Sequence, residues 1–177
     1  MKNYLLLTLL AISIPACGQT TQKDVLIKHW KASGEFTVAV ANAMPADGYT
    51  FRATPAEMSF GQLMAHIAAA DRGACANASG LAAPALPAKI SLWAKDSEKV
   101  DVDKETAVQV LKDTFEFCDK AITEMPANRM DTVVGPPNRN LTGSEWLWSY
   151  FTHTAHHRGQ AEVYLRLKAI KPPEYVF

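Results

Sequence analysis

The sequence predicts an all-α protein with the architecture of a four-helix bundle. Four segments of roughly 19 to 26 residues place apolar side chains at the three- and four-residue spacing of a helix. The chain contains no convincing strand pattern and no internal repeat. Connections of about 15 to 20 residues separate some of the helices, so a simple up-down order along the chain is not required.

The first predicted helix runs from about Lys23 to Ala43, and Gly34 weakens it near its middle. Its apolar stripe consists of Val25, Leu26, Trp30, Phe36 and Val40. The second predicted helix starts after Ser59, a residue type that favours helix N-termini, and ends near Gly80. The segment LAAPALPAK that follows is punctuated by prolines and is predicted to be a loop.

The third predicted helix begins at the N-cap Asp103 and reaches about Met125. The fourth is marked most clearly, because Thr142 and Glu145 have the spacing of a capping box. It continues to about Lys168 and stops before the two prolines of KPPEYVF. Between these helices, the run MDTVV is compatible with a short extended piece, which by itself does not make a sheet.

The first 18 residues have the features of a secretory signal peptide, and we predict that one domain occupies residues 19–177. A basic residue precedes an apolar run over positions 4–14, which is too short for a permanent membrane span, and small residues follow. One interpretation is a lipoprotein signal that ends at Ala16 and leaves a lipidated Cys17; the other is ordinary cleavage before Gln19. We therefore expect an exported protein, either periplasmic or anchored to the membrane through that lipid. The alternative is a buried or disordered N-terminal segment.

The charge composition makes nucleic acid an unexpected partner. The chain has 18 basic and 18 acidic residues, for a formal net charge of zero. Proteins that bind nucleic acid through its phosphates usually carry a clustered positive charge, and no such basic run is present.

Two cysteines, Cys75 and Cys118, lie within the predicted domain. They form no CxxC pair, so the sequence lacks the spacing of a thiolate-ligated zinc site. An oxidising compartment would permit a disulfide between them. We expect two separate buried thiols, with the disulfide as the alternative.

Three of the five histidines fall in the fourth predicted helix, within the stretch THTAHHRGQ. Residues four apart on a helix lie about 40° apart around its axis, so His153 and His157 project from one face and could share a metal ion. His156 lies about 60° to the other side of His153 and is less suited to join them. The residue after His153 is Thr154, where a zinc protease of the HExxH type needs glutamate, so that class is excluded.

A third ligand would have to come from another helix, and His66 and His29 are the two histidines that remain. His66 lies among apolar residues of the second predicted helix, whereas His29 lies in the polar stretch KHWK and is expected to face solvent. The neighbours of His66 on its face are small: Ala69, Ala70 and Gly73. They allow close helix packing or, alternatively, space for water or substrate above a metal. From spacing alone, a metal site and three ordinary polar side chains both stay open.

No carboxylate lies clearly beside these histidines. Asp71 lies about 140° from His66 around the second predicted helix. Glu145 precedes His153 by about two helical turns, and the sequence does not place it near or far from the site. A general base is therefore not identified.

Two longer stretches resemble motifs of the DinB-like family, a group of small bacterial four-helix proteins distinct from the DNA polymerase with the same historical name. The stretch HTAHHRGQAEVYLRLKAIKPPEYVF resembles the family's C-terminal motif, and SFGQLMAHIAAAD resembles its second-helix motif. The resemblance implies a divalent-metal site made by His66, His153 and His157, with zinc or nickel as the first choices and water in the open positions. It also implies that Arg158 and Gln160 are either structural or support the ligating histidines, and that Gly159 lets a neighbouring helix approach.

The resemblance implies several functions, because the family is mixed. One is metal-dependent hydrolysis of a small molecule, and a second is S-transfer or isomerisation with a low-molecular-weight thiol. A third is a metal site that only binds or stabilises. Export counts against the thiol reaction, because such thiols are kept reduced in the cytoplasm. Members of the family often form dimers, so a homodimer is compatible with the resemblance.

Overall fold

A computed structural model describes residues 20–96 and 100–175 of the chain. The predicted all-α class is confirmed, and the described residues form five helices. These are α1 (Gln22–Ala43), α2 (Phe60–Ser79), α3 (Ala88–Lys95), α4 (Lys104–Glu124) and α5 (Gly143–Leu167). Short 3₁₀ turns occupy Ala46–Gly48 and Ala127–Met130. The predicted signal peptide and Cys17 lie outside the described residues.

Three of the four long helices, α2, α4 and α5, begin directly after the residues that the sequence indicated. The side chains of Ser59 and Thr142 each accept a hydrogen bond from the backbone of the third helical residue, which returns one to the cap. Asp103 caps α4 through the backbone N–H of Thr106. At the other end of α2, Gly80 adopts a left-handed conformation with φ of 80°, which glycine reaches without a steric penalty.

The long helices do not pack in chain order. Helices α1 and α2 each pack mainly against both α4 and α5, so α1 and α2 lie on one diagonal of the bundle. The long connections predicted from the sequence make this order possible. Gly34 has a packing role here, because a Cβ at this position would lie only 2.7 Å from Cγ of Phe115 on α4. The glycine that weakens α1 therefore allows α1 and α4 to come close together.

Helix α3 was not predicted, since the sequence indicated only a proline-rich loop before Asp103. It follows the second proline of LAAPALPAK and buries Ile90 and Trp93, which lie three residues apart. The extended piece predicted in MDTVV is present as β1 (Val133–Val134). It pairs in antiparallel register with β2 (Leu141–Thr142).

Cys75 of α2 and Cys118 of α4 form a disulfide, so the expectation of two separate thiols is wrong. Helices α2 and α4 pack side by side and bring the two Cα atoms to 5.3 Å, within the normal range for a disulfide. Both cysteines are fully buried. The spacing of the two residues along the sequence could not reveal this proximity, because it depends on which helices become neighbours.

Among the described residues, no helix combines the length and the apolar character that a membrane crossing requires.

Candidate metal centre

The histidine cluster brings together one residue of α2 and two of α5. Nε2 of His66 lies 3.1 Å from Nε2 of His153 and 3.1 Å from Nε2 of His157. The three rings are half-buried, and their ligand atoms all lie within 4.8 Å of one another. The pairing of His153 with His157 follows from their four-residue spacing, and the packing of α2 against α5 adds His66.

The spacing of these nitrogens fits a shared metal ion. Two imidazole nitrogens bound to one cation at about 2.1 Å lie about 2.9 to 3.4 Å apart, for angles of about 90° to about 109° at the metal. The observed separation of 3.1 Å falls inside this range. One hydrogen on Nε2 of His66 could serve only one of its two close contacts well, whereas three lone pairs directed at one cation would satisfy all three Nε2 atoms.

Gln160 determines which nitrogen of His157 carries the hydrogen. Its Oε1 lies 2.7 Å from Nδ1 of His157, and its Nε2 lies 3.3 Å from Nε2 of His156. An amide oxygen only accepts, so Nδ1 of His157 donates and the lone pair of the neutral ring is on Nε2, toward the cluster. Ligating histidines are usually held in this way through their far nitrogen. Gln160 therefore has the supporting role that the resemblance implied.

All three rings are biased toward the neutral form that binds metals. Burial lowers the pKa of His153 to about 4, and the charges of His157, His66 and His156 act in the same direction. Burial is also the main cause of the lowered pKa of His66 and of His157. A neutral imidazole offers its lone pair without first losing a proton, so metal binding does not compete with protons near neutral pH.

The other predicted site residues have different surroundings. His156 is exposed, and the half-buried His29 on α1 is not part of the cluster. Arg158 is structural: its Nη1 donates to Oγ of Ser33 at 2.8 Å and ties α5 to α1. The expectation for Gly159 is wrong, because a Cβ there would meet no atom of another described helix within 4 Å. This glycine faces open space, so it does not mediate a close helix contact.

The family follows from the sequence around this cluster. The sequence model of the DinB superfamily matches residues 29–161, a span that includes all three clustered histidines. The chain belongs to the DinB superfamily. No curated protein matches it.

Two solved DinB-like proteins have a similar fold. One, from Bacillus cereus ATCC 10987, has a TM-score of 0.70 and 18% sequence identity, over 89% of this chain and 99% of the other. A DinB-like protein of Bacillus subtilis, YjoA, has a TM-score of 0.66 and 18% identity, over 85% of this chain and 96% of the other. At this identity the likeness establishes the fold, so the function of this DinB-superfamily chain has to be argued from its own residues.

A buried carboxyl group connects the two helices that carry the histidines of this DinB-superfamily chain. Both carboxyl oxygens of Asp71 on α2 lie within 2.8 Å of Oγ1 of Thr154, the residue after His153. The same hydroxyl lies 2.9 Å from the carbonyl oxygen of Tyr150. A hydroxyl has one hydrogen, so the contacts are best satisfied when a protonated Asp71 donates to Thr154 and Thr154 donates to Tyr150.

The surroundings of Asp71 favour this protonated form. The side chain is fully buried, and burial raises its pKa to about 8, against the opposing effects of the Thr154 hydrogen bond and the Arg158 charge. Asp71 is therefore a link between α2 and α5 beside the cluster, and its carboxyl group is not placed to act as a general base. Glu145 is also engaged elsewhere, since its carboxylate accepts from the backbone and hydroxyl of Thr142 at the start of α5.

Replacing Asp71 by asparagine should change how stability depends on pH. The pKa of Asp71 in the folded protein is above that of an unfolded aspartate, so its contribution to folding falls as pH rises from about 4 to about 8. Asparagine can still donate to Thr154 but does not titrate. In Asp71→Asn, we expect the free energy of unfolding relative to wild type to increase by about 1 kcal/mol or more between pH 5 and pH 8, measured by urea denaturation.

The matched control for this pH effect is Asp131→Asn, which changes an exposed aspartate in the same way. Between pH 5 and pH 8, the gain in unfolding free energy relative to wild type should be larger for Asp71→Asn than for this control. Parallel pH profiles for Asp71→Asn and wild type would contradict a protonated Asp71.

Two features around the cluster were not predicted from the sequence. The Asp71–Thr154 link was missed because helical geometry placed Asp71 away from His66, and nothing local indicated that the fold would turn it toward α5. Trp93 of α3 was missed as well. Its ring centre lies 6.5 Å from that of His66, at an interplanar angle of 76°. The only local indication was the three-residue spacing of Ile90 and Trp93.

Proposed function

We propose that His66, His153 and His157 bind one divalent metal ion, with zinc or nickel as the first choices. The position of Nε2 of His66, 3.1 Å from Nε2 of His153 and 3.1 Å from Nε2 of His157, carries this proposal. The hydrogen bond from Nδ1 of His157 to Gln160 supports it, because it directs a lone pair into the cluster. Imidazole nitrogens suit zinc and nickel among the common divalent ions.

We further propose that the metal serves the hydrolysis of a small molecule. Three protein ligands leave coordination positions open, which is typical of catalytic rather than structural zinc sites. When bound there, the metal would supply Lewis acidity and lower the pKa of water. Space for a substrate lies along the face of α2 that carries His66, because Ala69 and Ala70 are small and partly exposed and a Cβ at Gly73 would meet nothing within 4 Å.

In this reaction the protein would hold the three histidines in position and leave the metal accessible to the substrate. The Asp71–Thr154 link fixes α2 against α5, and Gln160 orients His157. The three imidazoles are neutral at pH 7, so they add no charge that would oppose a cation. The positive charge of a bound metal would thus be available to an electron-rich group of the substrate.

The test is turnover by tag-free, zinc-loaded protein on a panel of ester and amide substrates. Any hydrolysis should fall to background in His66→Ala and persist in His156→Ala, which removes an exposed histidine outside the cluster. Circular dichroism would show whether each variant keeps its helical content. Activity that is equal in the two variants would contradict a catalytic role for the cluster.

A binding site without catalysis is the second candidate, and one observation favours it. The cluster joins α2 to α5, so a metal there would cross-link two helices that are far apart in sequence. This function predicts that zinc raises the melting temperature while the substrate panel shows no turnover. A thiol-conjugation panel tests the S-transfer alternative, and the buried disulfide weighs against it because that bond requires an oxidising compartment.

The same disulfide supports the proposal that the protein is exported, since such bonds persist mainly outside the reducing cytoplasm. The signal peptide predicted for residues 1–18 is the second support. The mass of the mature N-terminus in a cell-envelope fraction would decide between lipidated Cys17 and cleavage before Gln19. An uncleaved chain confined to the cytoplasm would contradict export.

A further inference from the structure

Helix α3 packs an indole ring against the histidine cluster. Trp93 is 6% exposed, and its ring meets the ring of His66 in an edge-to-face arrangement, with 6.5 Å between centres. Ile90, three residues earlier on the same helix, is fully buried and anchors α3 to the bundle. Trp93 is therefore held beside the cluster by a helix that carries none of its histidines.

The indole N–H of Trp93 is buried and has no hydrogen-bond partner among the residues that the structure describes. An N–H group only donates, and burying it without an acceptor is unfavourable relative to a hydrogen-bonded state. Trp30 has a buried indole N–H in the same situation, but its ring packs against Phe151 and has no contact with the histidine rings among the described ring pairs. Of these two indoles, only that of Trp93 contacts a ring of the cluster among the described residues. Nδ1 of His153 is also buried without a partner, but it belongs to a proposed metal ligand.

We propose that the indole N–H of Trp93 donates a hydrogen bond to an oxygen atom of the ligand that binds at the His66/His153/His157 centre. This inference rests on the proposed metal-binding function, and it specifies the chemical class of the small molecule that binds at the metal. A cation held by neutral imidazoles attracts a negative or polarised oxygen. The unpartnered N–H of the indole that contacts His66 is a donor available to the same group. The ligand is accordingly a carboxylate or carbonyl compound.

The rest of that compound is expected to be small and apolar. The indole ring of Trp93 provides one apolar wall, and the methyl groups of Ala69 and Ala70 lie on the face of α2 that carries His66. None of these side chains could pair with a charged group at the far end of a ligand. A short acyl group is the chemistry that this combination of donor and walls fits.

The test uses cobalt-loaded protein and acetate, the simplest oxygen ligand of this class. Cobalt(II) bound by imidazoles has visible absorption bands that shift when acetate enters its coordination sphere, so a titration gives the acetate dissociation constant directly. Trp93→Phe keeps an aromatic ring and removes the N–H. We expect acetate to bind about tenfold more weakly to this variant, with cobalt stoichiometry unchanged.

The matched control is Trp30→Phe, which removes the other buried, unpartnered indole N–H from a position in contact with Phe151. Its acetate affinity should equal that of wild type. Unchanged affinity in Trp93→Phe, or an equal loss in Trp30→Phe, would overturn the role of Trp93 while leaving the metal site intact. Failure of wild type to bind cobalt or zinc would instead overturn the proposed metal function, and this inference with it.

A second measurement on the wild-type chain does not depend on the folding of Trp93→Phe. In ¹⁵N-labelled, zinc-loaded protein, the four tryptophans give separate indole N–H signals, which variants of the other three assign by elimination. Saturating acetate should move the Trp93 indole proton downfield and leave that of Trp30 unchanged. A Trp93 signal that does not respond would contradict the proposed hydrogen bond.

Discussion

His157→Ala should lose stoichiometric metal and lower zinc affinity by more than about 100-fold, because even removing a group that supports a ligand costs 10- to 100-fold. His157 is the proposed ligand whose orientation is fixed by a side-chain contact, the 2.7 Å contact between its Nδ1 and Oε1 of Gln160. Its loss leaves two imidazoles, on different helices, to hold the ion. Competition with a chromophoric chelator measures the affinity, and elemental analysis measures the stoichiometry.

His156→Ala is the control for His157→Ala, because the two residues are adjacent and both contact the Gln160 amide. His156 is exposed and lies outside the cluster, so its variant should keep one metal per chain. Full metal content in His157→Ala, or equal losses in the two variants, would show that the cluster is not the binding site.

Removing the disulfide should produce the largest loss of stability of any change considered. Cys75 and Cys118 are separated by 43 residues, and closing a loop of that length stabilises the folded state by about 4 kcal/mol in the chain-entropy description. The bond also lies in the core between α2 and α4, where both cysteines are fully buried. We expect the double variant Cys75→Ala/Cys118→Ala to lose about 3 to 4 kcal/mol of unfolding free energy in urea.

Reduced wild type is the comparison for this double variant, since it loses the bond while keeping both sulfur atoms. Reduction and substitution should lower stability by similar amounts, apart from the smaller effect of the deleted sulfurs. Two free thiols detected by alkylation of the denatured, unreduced wild-type protein would contradict the bond itself.

The elements that the sequence predicted well are those whose ends are encoded locally. The Thr142–Glu145 capping box, the N-cap Asp103 and Ser59 place helix starts to within a residue, because their side chains bond to a backbone only three residues away. The His153/His157 pair was predictable for the same reason, since a four-residue spacing fixes both on one helical face.

The features that the sequence did not predict depend on which helices become neighbours. Cys75 meets Cys118, and Asp71 meets Thr154, only because α2 packs against α4 on one side and α5 on the other. His66 was assigned to the metal site from the resemblance to the DinB-like family, because helical spacing alone left its role open. Gly159 is an error of the other kind, a contact that was predicted and is not present. The motif led us to expect a close helix contact at Gly159, and the packing of the described helices does not place one there.

Elemental analysis of tag-free wild-type protein, purified without added metal and then after zinc loading, tests the central claim most directly. We expect about one divalent ion per chain, bound by the three neutral imidazoles whose ligand atoms lie within 4.8 Å of one another. Loss of that ion in His66→Ala, His153→Ala or His157→Ala would complete the assignment. A wild-type chain that holds no stoichiometric metal and takes up none on loading would contradict it.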